Sequence, residues 1–210
     1  DIQLSRFAIL AIGTVNYLVH VNGIDAPRQW DGIGALTTLV TGNPPDWSDI
    51  TTAFDRVVGI VPPYTVRWGE ALRLDLWNEL NFRTLSDTPD PLVAISNLGT
   101  VGIVCYKRAT IWNGYQVGGP SSSAFKFELR GYFEGPASPA AVVQANGIDY
   151  YMTPSGRIGA YDGNSHQWVG EGAWPLLRTT VDVTRANRFC GAYNALYNEV
   201  VFFYPRIGDN

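Results

Sequence analysis

The sequence predicts an all-β protein, a β-propeller with blades of about 41–49 residues. Three observations predict it. Apolar stretches are short, rich in β-branched and aromatic residues, and broken by Gly, Pro, Asn or Asp roughly every 8–12 residues. Helical periodicity is nearly absent. An aromatic-Asx-Gly tripeptide recurs at Trp30-Asp31-Gly32, Trp112-Asn113-Gly114 and Tyr161-Asp162-Gly163; the intervals are 82 and 49 residues, and 82 is twice 41.

Taken in chain order, "RFAILAIG" and "NYLVHVNG" read as the opening strands, and "VNGIDAPRQWDG" closes the first unit on Trp-Asp-Gly. "DWSDITTAFDRVVG" is the one stretch with room for a short helix, capped by Asp46 or Ser48. A missing copy of the tripeptide falls near position 70. There "PPYTVRWGEALRLDLWN" predicts strand, turn and strand around Trp68-Gly69. "GIVCYKRATIW" and "FKFELRG" follow as strands, joined through an exposed loop, "GGPSSSAF". Loops of this kind carry binding more often than cores do, although a simple linker within a blade is the plainer reading.

"PAAVVQANG", "IDYYMT" and "RIGAYDG" form the next unit, and Asn-Gly-Ile-Asp of residues 22–25 recurs at 146–149. "RFCGAYNALYNEVVFFYPRIGDN" reads as a partial fifth unit. The chain thus forms a single propeller domain, residues 1–210, with four to five blades. From its start at Asp1, directly in strand-like sequence, the chain is expected to be an excerpt of a longer one. Each tripeptide supplies the positive φ of a tight hairpin turn, and its aromatic residue packs between neighbouring blades.

Charged residues make up 16% of the chain and aromatics 13%, including seven Trp. That is low charge for a domain whose surface faces only water. Thirteen residues are Arg and two, Lys107 and Lys126, are Lys. Interfaces favour Arg, Trp and Tyr over Lys; a genome rich in Arg codons gives the same bias. A net charge of -4 and a pI near 5.1, without any basic run, argue against a surface that grips nucleic acid. Cys105 and Cys190 form no CxxC pair and read as buried, reduced thiols, compatible with an intracellular origin. No signal peptide and no apolar stretch of bilayer-spanning length is present.

Catalytic motifs are missing. No HExxH, Cys/His cluster, EF-hand loop, phosphate loop or Gly-x-Ser-x-Gly elbow occurs, so no catalytic, cofactor or metal residue is assigned and no enzyme activity is expected. His20 reads as a satisfied strand residue and His166 as a solvated turn residue. Asp25, Asp31, Asp75, Asp149 and Asp162 offer carboxylates for a glycosidase of propeller fold, but most sit in turn signatures that already explain an Asp. "YDGNSHQW" matches a sialidase-type Asp box only loosely.

The order of "GIVCYKRATIWNGY", of "FKFELRGYFEGPASPAAVVQANGIDYYMTPSGRIGAYDGN", and of "AYNALYNEVVFFYP" resembles virion β-propeller proteins of short-tailed phages. The match is to the tail nozzle (tail tubular protein B type) and tail hub proteins. Its carriers are the basic step Lys107-Arg108, the passage Gly135 to Val143, the display Tyr150 to Gly163 and the segment Tyr193 to Val200. The resemblance implies an architectural role in the virion tail, assembled in the host cytoplasm. Copies form a ring with one another and with other tail, portal or adaptor proteins around a channel for genome ejection. DNA passes without specific binding, and neither a membrane nor a small-molecule substrate is involved. The competing reading is a carbohydrate-binding propeller, lectin-like or receptor-binding, in which several Trp stack on sugars.

Overall fold

The computed structural model describes residues 5–35, 37, 38, 43–99, 101–118 and 120–208. The chain is all-β, and its strands form antiparallel sheets in chain order. Sheet 1 holds β1 (Arg6–Ile12), β2 (Val15–Val21), β3 (Arg28–Trp30) and β4 (Thr37–Thr38). Sheet 2 holds β5 (Asp49–Ala53), β6 (Arg56–Val61), β7 (Thr65–Trp68) and β8 (Phe82–Thr84). Sheet 3 holds β9 (Leu92–Leu98), β10 (Gly102–Lys107), β11 (Thr110–Gln116) and β12 (Phe125–Tyr132). Sheet 4 holds β13 (Val142–Ala145), β14 (Ile148–Met152), β15 (Ile158–Tyr161) and β16 (His166–Val169). A two-stranded sheet 5, β17 (Cys190–Asn194) and β18 (Glu199–Phe203), follows the short helix α1 (Trp174–Thr180). The first strands begin 43, 43, 50 and 48 residues apart, and each packs beside the first strand of the next sheet.

Strand alternation explains the stacking, because successive side chains leave a strand on opposite faces. On β6, Val57 enters a core shared with Ala8, Leu10 and Val19 of sheet 1, while Val58 enters one shared with Ile95 and Ile103 of sheet 3. On β10, Ile103 and Cys105 turn toward sheet 2, and Val104 and Tyr106 meet Tyr151 and Tyr161 of sheet 4. Ala141, Met152, Phe189 and Phe202 fill the last gap, between sheets 4 and 5. Sheets 2, 3 and 4 are thus apolar on both faces.

The structure departs from the sequence reading in several places. The expected helix in "DWSDITTAFDRVVG" is the β5–β6 hairpin. Phe54 and Asp55 take φ of 51° and 58°, which makes the tight turn, and β-branched Thr51 and Thr52 extend the strand. "LRLDLW" is irregular, because Leu72 has φ of 54° and Arg73 pairs with Asp75 at 2.5 Å across the bend. Its Leu74 and Trp77 still reach the core between sheets 1 and 2. "GIVCYKRATIW" is two strands that turn at Arg108-Ala109. Trp112-Asn113-Gly114 is no turn and lies inside β11. The helix α1, with Pro175 in its first turn, has no counterpart in the sequence reading.

Candidate functional site

The polar groups with the most unusual surroundings lie along the first strands. Arg6, Phe7, Thr51, Ser96, Gln144 and Asp149 line a cleft of about 340 Å³ there. Asp49, fully buried at the start of β5, accepts Arg6 Nε at 2.7 Å, its own neighbour Ile50 N at 3.0 Å and Ile95 N at 2.9 Å. One carboxylate therefore ties β1, β5 and β9 together. Burial pushes it above the usual carboxylate range even with Arg6 beside it.

Asp149 on β14 is also fully buried. Its Oδ2 accepts Ser96 Oγ and, at 2.8 Å, Tyr106 OH, whereas Oδ1 has no partner. It is not a turn residue, contrary to the reading of its Asn-Gly-Ile-Asp context. The turn is made by Asn146 and Gly147, with φ of 53° and 77°. Burial pushes the Asp149 carboxyl from 3.8 up to about 6. The folded state therefore holds this proton more tightly than the unfolded chain does. The resulting stabilisation is complete below pH 3.8 and lost as pH rises through 6. Asp149→Asn is expected to be more stable than the parent at pH 7, by on the order of 3 kcal/mol. Urea titrations at pH 7 and pH 4 check this, with the advantage shrinking at the lower pH.

Several expected residues have structural duties. Asn22 Oδ1 accepts Ile24 N and Asp25 N, and Asn22 Nδ2 donates to Asp25. Asp31 and Asp162 cap their turns through Ile33 N and Asn164 N. His20 pairs with Ser5 Oγ at 2.9 Å beside the Phe7 ring. His166 is not the solvated turn residue expected: it is half-buried at the start of β16, stacks on Phe133 with ring centres 4.0 Å apart, and meets Tyr151 OH at 2.8 Å. Burial lowers its pKa. Cys105 is buried, which pushes its thiol up, and Cys190 is half-buried. The "GGPSSSAF" loop serves as a fastener: Ser121 contacts Glu70 and Arg56, and its carbonyl accepts Trp68 Nε1 at 2.7 Å. Among the described residues, no three His, Cys, Asp or Glu side chains are grouped to hold a metal ion. Among the described residues, no helix is long and apolar enough to cross a membrane.

The two outer faces of the row of sheets have a different character. On β1, Ala8 and Leu10 point into the core while Phe7 and Ile9 point away, 54% and 59% exposed. Cross-strand register places Leu18 beside Ile9 and Trp30 beside Leu18 on that free face. At the other end, Gly191 and Phe202 face sheet 4, so Ala192, Val201 and Phe203 face outward, with Phe203 58% exposed. Among the described residues, sheet 1 packs closely on sheet 2 and sheet 5 on sheet 4, each through its other face.

No family model and no curated protein matches the chain. Among solved structures, it is similar to one titled "Structure of SapL1 lectin in complex with alpha methyl fucoside", at 15% identity and a TM-score of 0.41. That match covers 79% of this chain and 62% of the lectin chain, less than two thirds of the latter's length.

Proposed function

We propose that the chain is a non-enzymatic structural component of a phage tail, a β-propeller of the nozzle or hub type. The observation that carries its architectural part is the pair of uncovered apolar faces at the two ends of the row of sheets. A row of four-stranded meanders with first strands side by side is the pattern of propeller blades. In such a row each sheet is stable because both faces are covered. Burying a side chain such as Phe7, Ile9 or Phe203 contributes about 1.5–3 kcal/mol each. Adjoining sheets of the same ring cover these faces in the assembled tail. The tail assignment itself rests on the resemblance carried by Lys107-Arg108, Gly135 to Val143 and Tyr150 to Gly163. Net charge -4 suits a wall past which DNA slides without being held.

The distribution of tryptophans supports this reading over the carbohydrate-binding one. Trp47, Trp68, Trp77 and Trp112 are buried between sheets. Trp168 and Trp174 each have an Arg157 guanidinium against the ring, which leaves less indole face for a sugar. The test is electron microscopy of intact particles labelled with an antibody against this chain. Label at the tail vertex is the expected result. Absence of the chain from purified particles would overturn the reading.

A further inference from the structure

We propose that Arg157, whose guanidinium lies over the Trp168 and Trp174 rings, is a binding site for an oxyanion: a carboxylate or phosphate group of a ligand. The Arg157 guanidinium carbon lies 5.0 Å from the Trp168 ring centre and 4.3 Å from that of Trp174. The walls of this slot are fixed. Trp168 belongs to β16, and Trp174 opens α1 and donates Nε1 to Ser155 O at 3.3 Å. Ser155 is itself anchored, with its N at 3.1 Å from Glu134 Oε1 and its Oγ at 2.6 Å from Oε2. Both Glu134 oxygens are thereby engaged. The Arg157 backbone N donates to Thr153 Oγ1 at 3.1 Å, which sets where the side chain leaves the turn.

The guanidinium carbon lies over both indole rings, so recognition of a ligand falls to its N–H groups. Its Nε is buried without a hydrogen-bond partner, while among the described residues its Nη groups reach solvent and pair with nothing, which leaves the two Nη groups to meet a ligand. A guanidinium whose two Nη groups are free takes an oxyanion end-on through two parallel N–H···O bonds. Arg178 lies over the same Trp174 ring at 5.3 Å and adds a second positive charge.

The test follows the indole N–H resonances of Trp168 and Trp174 in the full chain during titration with inorganic phosphate and, separately, with glucuronate; glucose is the neutral control. Saturable shifts with at least one anion, and none with glucose, are expected. Whichever anion gives the tighter binding identifies phosphate or carboxylate as the source. Arg157→Gln is expected to weaken binding at least about tenfold. Arg157→Lys keeps the charge and the stem but loses the fork, so it falls in between; it also serves if the Gln variant fails to fold. No saturable shift with either anion, or unchanged affinity in the Lys variant, would overturn the proposal.

Discussion

Lys107→Met is expected to cost about 3–5 kcal/mol of folding stability, seen as a lower denaturant midpoint with an unchanged slope. Lys107 ends β10 and is fully buried. Its Nζ donates to Leu85 O at 2.8 Å, Thr88 O at 2.8 Å and Thr88 Oγ1 at 2.6 Å, with Asp90 Oδ1 at 3.5 Å. Burial pulls the ammonium pKa down, and Asp90 opposes that pull. Methionine matches the stem in length but donates nothing, so three acceptors and a carboxylate lose their cation. Removing one partner of a buried charged set costs more than the set contributes net. The segment from Leu85 to Asp90 leads from sheet 2 to sheet 3, so its anchor sets how these sheets join. The basic step noted in the sequence is therefore a joint, and only Arg108 of the pair reaches solvent.

Gly135→Ala is expected to destabilise by about 3 kcal/mol or more, or to prevent accumulation of folded protein. A Cβ on Gly135 would lie 1.8 Å from the Lys107 carbonyl oxygen. Backbone cannot rotate away as a side chain can. Gly135 N also donates to Arg108 O at 2.8 Å, so the close approach is part of how the β12–β13 connection crosses the β10–β11 turn. Gly99→Ala, where a Cβ meets nothing within 4 Å, is the control and should stay near the parent's thermal midpoint. Equal losses in the two variants would contradict this account.

The strands were legible because alternation and β-branching report directly on a two-sided sheet. Val57 and Val58 are consecutive and both apolar, which marks a strand covered on both faces. The expected spacing of about 41–49 residues lies close to the 43 to 50 that separate the first strands, but it came from partly wrong landmarks. Trp30 and Tyr161 each end the third strand of their sheet, and so does Trp68, the degraded copy. Trp112, which anchored the interval, sits in mid-strand, where Asn113 is buried and donates Nδ2 to Gly163 O at 2.7 Å. Asn-Gly-Ile-Asp likewise makes two different turns, between second and third strands in sheet 1 and between first and second in sheet 4. A tetrapeptide fixes local φ preferences but not its place in a sheet. The Arg157 slot was illegible for a related reason. Residues 157, 168 and 174 have no periodic relation, and only the turn after β16 brings α1 back over Arg157.

The most direct test of the central claim is hydroxyl-radical footprinting of the assembled protein against the isolated chain, read residue by residue by mass spectrometry. Phe7, Ile9, Trp30 and Phe203 should be labelled in the isolated chain and protected in the assembly, while buried Tyr106 and Trp47 stay protected in both. Equal labelling of Phe7, Ile9, Trp30 and Phe203 in the two states would contradict the claim that these faces are covered by neighbouring sheets.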